Sequence, residues 1–257
     1  NELGYNTGAS ATAMAEAIFG TGVTVVSASY SGDNRSSAIY NNLDNSGNTI
    51  SDAAPGDSGV ILSTGRASHF TRSNGDPNRS ASTSSDTNGV DNNADFNAAA
   101  GANTYDASYL DIDFQASSDT MTMQFVFSSE EYPEYVNSLY QDFVGVWVNG
   151  TQVEMSVGDG DADPGNLNSG DNSNLFINNT NDDYNTEMDG FTVTLTLTMA
   201  VLYDPALSPE NQPINSIRIG IADVSDSSYD SNLLIAGDSI QTAVIAMDDS
   251  ANVDPDG

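Results

Sequence analysis

The chain has no cysteine, so neither a disulfide staple nor thiolate chemistry is open to it. It has no lysine either, and five arginines with one histidine stand against 37 acidic residues. Schiff-base and nucleophile–base routes to catalysis therefore lack parts. So small a basic complement excludes nucleic acid and anionic membrane surfaces as partners, because phosphate neutralisation needs clustered Lys and Arg. No apolar run approaches ~18 residues, so the chain carries no transmembrane helix and no membrane insertion is expected. There is no internal repeat. The opening Asn1-Glu-Leu-Gly lacks a basic and an apolar signal region and reads as the start of an excised module.

What the chain does have is acid. Its net charge is -32, and that many like charges in one compact body repel one another. Divalent cations would relieve the repulsion locally, whereas a salt-adapted or simply soluble surface is the plainer account. The kind of acid favours the first. Twenty-nine of the 37 acidic residues are Asp and eight are Glu. General acidification has no reason to avoid Glu, whereas Asp suits turns and offers a short oxygen arm to loop-bound Ca²⁺. The Asp residues also cluster with Asn, Gly and Ser between apolar segments.

One stretch organises the rest, Phe127 to Gly150. A strand leads into it with Met121, Met123, Phe125 and Phe127 on one face and Thr122, Gln124 and Val126 on the other. It gives out at Glu130, Glu131, Tyr132, Pro133, Glu134 and Tyr135, where Pro133 removes a ladder donor. Phe143 to Asn149 is apolar on both faces and predicts a central strand, and Asn149-Gly150 then predicts a two-residue hairpin turn. A second acidic turn from Ala222 to Ser231 reads as the partner of the first. Together the two loops are expected to gather oxygen ligands around calcium.

Elsewhere, Ser10 to Phe19 predicts a helix with Ser10 as its cap, and Val23 to Tyr30 and Gly59 to Ser63 predict strands. Ser31 to Asp57 is turn-rich. Thr64 to Thr104 is a long polar tract holding Arg66, Arg72, Arg79 and the lone His69; the arginines are expected to tie the loop to carboxylates. Thr104 to Phe114 alternates, placing Leu110, Ile112 and Phe114 inward, and offers Asp106 and Asp111 as further calcium ligands or simply solvated acids. In Gly158 to Asn174, the alternate Asp159, Asp161 and Asp163 echo the opening of an EF-hand loop without its glycine and closing glutamate. They stand as candidate ligand-contacting residues on a calcium-binding or exposed rim loop. Phe191 to Val201, Ile217 to Ile221 and Leu233 to Ile245 supply further strands.

Short alternating strands between turn clusters, with one short N-terminal helix, predict an all-β chain with minor α content. The expected architecture is an antiparallel β-sandwich with long calcium-binding loops. Residues 1–247 would form this single domain, and 248–257 a linker to a next module.

Four blocks carry a resemblance: Phe127-Ser-Ser-Glu-Glu-Tyr-Pro-Glu-Tyr-Val-Asn-Ser138 with Asp142-Phe-Val-Gly, Gly59-Val-Ile-Leu-Ser-Thr-Gly65, Thr104-Tyr-Asp-Ala-Ser-Tyr-Leu110, and Ile221-Ala-Asp-Val-Ser-Asp-Ser-Ser-Tyr-Asp-Ser231. On these, the sequence resembles the choice-of-anchor L domain of large bacterial surface proteins. It looks particularly like the peptide-binding domain of RTX adhesins. That resemblance implies an extracellular, calcium-dependent adhesion module on the bacterial surface, holding several Ca²⁺ ions. One ion would help hold the free C-terminal carboxylate of a peptide or protein on another cell. Carried over by position, it implies calcium ligands at Glu130, Glu131, Asp142, Asp223, Asp226 and Asp230, with Tyr132 and Tyr135 walling a peptide groove. The module would act as a monomer within a larger chain.

Physically, a Ca²⁺ with an open coordination position would reverse the local sign that otherwise repels a carboxylate. A lectin-like module gripping glycans through calcium is the main alternative. A glycoside hydrolase using Glu130, Glu131 or Glu134 is the catalytic one, but adjacent strand residues point to opposite faces and would not flank one bond.

Overall fold

A computed structural model describes residues 2–72, 80–155 and 161–242. In chain order the elements are β1 (Gly4–Asn6), α1 (Ala11–Ile18), β2 (Val23–Ser31), β3 (Ser37–Asn41), β4 (Ser58–Ser63), α2 (Ala94–Ala100), β5 (Thr104–Ala116) and β6 (Thr120–Ser129). There follow β7 (Phe143–Val148), β8 (Thr151–Gln152), β9 (Phe176–Asn178), β10 (Gly190–Thr192), β11 (Leu195–Ala200), β12 (Asn215–Val224), β13 (Ser231–Ala236) and β14 (Gln241–Thr242). Short 3-10 turns occupy Ala67–His69 and Pro209–Asn211.

These strands form two antiparallel sheets. The larger runs β1-β3-β4-β13-β6-β10-β9, with β11 and β14 also pairing β6; the smaller runs β2-β5-β12-β7-β8. Their facing sides carry the alternate apolar residues, as the period of two requires. Met121, Met123, Phe125 and Phe127 of β6 meet Leu110, Ile112 and Phe114 of β5 and Ile217, Ile219 and Ile221 of β12 in one buried core. The expected β-sandwich is therefore the observed one.

The helix at the N-terminus forms where the sequence places it. The Ser10 hydroxyl accepts the Ala13 N–H as an N-cap, and Met14, Ala15 and Ile18 enter the core. Among the described residues no helix is long and apolar enough to cross a membrane.

Four details differ from expectation. A second helix, α2, lies in the polar tract, capped by Asn93 and closed by Gly101 in the left-handed conformation. Its Phe96 packs on Tyr109, Phe143 and Trp147 over the outer side of the smaller sheet. That cover explains β7, which is apolar on both faces without being central: only the two-residue β8 lies beyond it. The stretch expected as one strand from Phe191 to Val201 is split. Between β10 and β11 its register on β6 slips by one residue, and the Thr192 hydroxyl accepts the Phe127 N–H in the gap. The turn-rich stretch before residue 57 also holds a strand, β3, paired with β4.

The Asn149-Gly150 hairpin is as expected. Both residues have positive φ, 50° and 78°, as a type I′ turn demands. Asp159, Arg79 and the expected linker at 248–257 lie outside the described residues.

Candidate functional site

The sandwich brings six strand ends to one pole. Ladder registers pair Val224 with Thr104, Ala222 with Phe143, Ser231 with Ser129 and Asn232 with Ser63. The ends of β4, β6 and β12 thus lie beside the starts of β5, β7 and β13. Onto this pole fall Glu130 and Glu131 after β6, Asp142 before β7, Asp223 in β12 and Asp230 before β13. Residues distant in sequence are neighbours here because antiparallel topology returns the chain to the same end every second strand.

All five of these carboxyls are almost wholly removed from water: Glu130 is 0% exposed, Glu131 and Asp142 1%, and Asp223 and Asp230 3%. Glu131 and Asp142 sit between the sheets. The Asp142 N–H donates to Glu131 Oε2 at 3.0 Å, and the Glu131 N–H donates to Ser129 Oγ at 2.9 Å. The carboxylate of Asp142 accepts the Val224 N–H at 3.1 Å and the Ser231 hydroxyl at 2.7 Å. Asp223 lies within hydrogen-bonding reach of Asp142, with Thr64 beside it. Burial first, and the neighbouring carboxylates second, raise the proton affinity of Glu131 and Asp223 far above the ordinary carboxylate range. Burial also raises that of Asp142, against the hydrogen bonds that favour its charged form.

Glu130 faces the other way, as strand alternation dictates. Its Oε1 accepts the Thr83 N–H at 2.8 Å, and burial with the nearby charge of Asp189 raises its proton affinity. Asp230 is held by Ser85 through both its N–H, at 2.7 Å, and its hydroxyl, at 2.8 Å. Burial pushes the Asp230 carboxyl up to about 6. Asp106, with φ of 47°, accepts from the Thr87 hydroxyl and the Gly89 N–H. Asp226 is half-buried and closes its own turn by accepting the Ser228 N–H.

Other expected residues fall elsewhere. Asp111 stands on the outer face of the smaller sheet, paired through both oxygens with Arg218 at 2.7 and 2.9 Å. An arginine, not the acidic pole, is its partner. Tyr132 is 1% exposed, and its hydroxyl donates to the Leu167 carbonyl. Its ring packs in the core against Phe176 at 4.6 Å, so it walls no open groove. Tyr135 is half-buried with Tyr229 at 5.1 Å and Tyr140 at 6.1 Å, and Leu139 is exposed beside them. Of the third loop, Asp163 is half-buried, caps the Gly165 and Asn166 N–H groups, and adds its charge to the surroundings of Glu131. Asp161 is exposed and engaged through its carbonyl with Asn166.

Sequence reasoning missed the hydroxyl layer of Ser129, Ser231 and Thr64 and the segment Thr83–Thr87. The segment carried no periodic signal; the hydroxyls ended strands where only the acids drew notice. Tyr140 and Tyr229 were visible within the acidic turns.

The donor set is hard oxygen throughout, which suits Ca²⁺. Two of its oxygens, Glu130 Oε2 and Asp223 Oδ1, are buried without a hydrogen-bond partner. Each could be satisfied by a cation, though the two face different neighbours. Among the described residues, no three His, Asp or Glu side chains stand in metal-coordinating geometry. The carboxyls turn instead to backbone N–H groups and hydroxyls. The fit to calcium is therefore one of chemistry rather than of a formed cage, and backbone carbonyls, Asn side chains and water would complete any coordination shell.

A family model described as the choice-of-anchor L domain matches residues 5–241. No curated protein and no solved structure matches the chain. The family's name fits a module of surface-anchored, extracellular proteins. With nearly the whole chain matched, the protein belongs to the choice-of-anchor L domain family.

Proposed function

We propose that this chain is a calcium-dependent adhesion module of a large bacterial surface protein of the RTX adhesin type. In this proposal the acidic pole takes up Ca²⁺, and one ion presents an open position to the free C-terminal carboxylate of a peptide or protein on another surface. The observation that carries it is the set of five buried carboxyls delivered by strand ends to one pole. Burying that much latent charge is unfavourable unless protons or cations neutralise it. Two orphaned oxygens there favour a cation over protons alone.

Ligand contact falls to the aromatic group of Tyr135, Tyr140 and Tyr229, which sits on the same two acidic loops. Extended peptide would stack on it while its terminus is fixed by the ion. Single-site affinity would be modest, and many copies on a cell would supply strength. In this reading the module acts by binding: Glu130 and Glu131 turn to different neighbours and Glu134 is exposed, which speaks against those three as a glycosidase pair.

A peptide array comparing free with amidated C-termini tests the proposal. Binding that vanishes on amidation and on chelation supports it. Binding indifferent to amidation but competed by monosaccharides would replace it with a calcium-dependent lectin, since tyrosine rings serve sugars as well.

A further inference from the structure

The same topology that gathers acid at the pole gathers base just beside it. Arg35, Arg66, His69 and the segment Ser84–Asn88 line a pocket of about 590 Å³. Arg72 lies close enough for its charge, with those of Arg66 and Arg35, to be felt at His69. In a chain with five arginines and one histidine against 37 acids, this concentration of base is not a consequence of composition.

The arginines differ in their occupations. Arg35 is clamped by Asp33 through Nε at 2.8 Å and Nη2 at 2.7 Å. Arg218, far away, is clamped by Asp111 and Asp95. Arg66 has no ion pair among the described residues, and its Nε is buried without a hydrogen-bond partner. A buried, unmatched guanidinium donor is costly by about 1–3 kcal/mol, more for a charged group. In a body so rich in carboxylates, none among the described residues takes this donor, which leaves it open to a ligand.

The rest of the pocket selects the partner. A guanidinium offers a planar fork that matches two carboxylate oxygens. His69, whose Nδ1 pairs with the Ser85 hydroxyl, is kept neutral by burial and by the arginines around it, so it adds hydrogen bonding rather than charge. Asp86 is exposed at the pocket and Asp33 lies behind Arg35, so a dianion such as phosphate would meet repulsion.

We propose that this pocket is a second ligand site, independent of calcium, which binds a monoanionic carboxylate through the Arg66 guanidinium. Two sources share that chemistry: an acidic sugar, and the terminus or side chain of a peptide. The site goes beyond the calcium-bridged contact and does not depend on it.

The test uses residues 1–257 and the ring resonances of His69, which are unique because the chain has one histidine. Glucuronate and N-acetylglycine are titrated separately into the tens of millimolar, with their methyl esters and inorganic phosphate as controls. Free calcium is varied only across the range in which circular dichroism is constant. The expected result is a saturable His69 shift with at least one carboxylate, absent with its ester, unchanged by calcium and stronger than with phosphate. Whichever probe binds more tightly identifies the source. Arg66→Gln and Arg66→Lys should each weaken it by about 10- to 100-fold, the equivalent of hydrogen bonds to a charged group, while their melting temperatures report folding. No shift with either acid, equal shifts with the esters, or undiminished binding by folded Arg66→Lys and Arg66→Gln would overturn the proposal. A shift that appears only with calcium would assign the ligand to the acidic pole instead.

Discussion

A Cβ added to Gly65 would lie 2.0 Å from Cγ of Asp230. The turn after β4 therefore approaches the carboxyl of the last acidic loop so closely that only glycine fits, and Asp230 is pressed onto Ser85. This contact joins the acidic pole to the arginine-bearing turn that begins at Arg66.

Gly65→Ala must displace Asp230 or the turn, since the clash is with a carboxyl held from two sides. Overpacking of this kind is expected to destabilise by about 1–3 kcal/mol. Calcium affinity should fall with it. Chemical denaturation with and without calcium measures both effects.

Without metal, the acidic pole should make stability fall with rising pH. Folding raises Glu130 and Asp142 to about 8 and Glu131 to about 10, above their ordinary values near 4.5 and 3.8. The folded state then holds more protons than the unfolded one across that window. Their contribution is complete below the unfolded values and is lost as pH climbs through about 8 and about 10. Melting curves of chelated protein should shift downward between pH 6 and 10, and saturating calcium should remove most of that slope. A flat profile in chelator would show that these carboxyls are not held protonated.

Glu131→Gln keeps the shape and the acceptor for the Asp142 N–H while removing one buried charge. Metal-free protein should lose little stability or gain some at high pH. Calcium affinity should fall about tenfold or more, because ligand charge governs such sites. Asp111→Asn is the contrasting variant: its half-exposed pair with Arg218 contributes at most about 1 kcal/mol, and calcium binding should be unchanged. Isothermal titration of both variants separates the two acids.

Phe96→Ala tests the unexpected helix. Phe96 is buried among Tyr109, Phe143 and Trp147 as the main anchor of α2. Truncation should cost about 3–5 kcal/mol, read from urea unfolding, and should leave calcium affinity in the folded protein nearly intact.

Much of the sandwich was legible because alternation is a direct record of a half-buried sheet. The β6, β12 and α1 segments each carried their period and caps in plain view. The α2 signal was also present, Asn93 before a short Ala-rich run and Gly101 after it, but the surrounding polar tract masked it. For β7 the outer apolar face reports a helix cover rather than sheet interior, a distinction that periodicity alone does not make. At the pole, acids nominated by turn composition mostly converged, since strand ends at one pole share their loops. Asp111 did not, because a position within a strand faces sideways and finds Arg218. Tyr132 was nominated by neighbourhood, yet its side chain follows strand parity into the core. The arginine pocket depended on contacts between Arg35 and residues 66 to 88, which no local pattern encodes.

Equilibrium titration of calcium into rigorously chelated protein, in weak buffer with pH recorded, tests the central claim most directly. We predict at least one tightly held Ca²⁺ per chain, with protons released as the ion displaces them from the buried carboxyls. Absence of bound calcium at millimolar free ion, or binding without proton release, would contradict it.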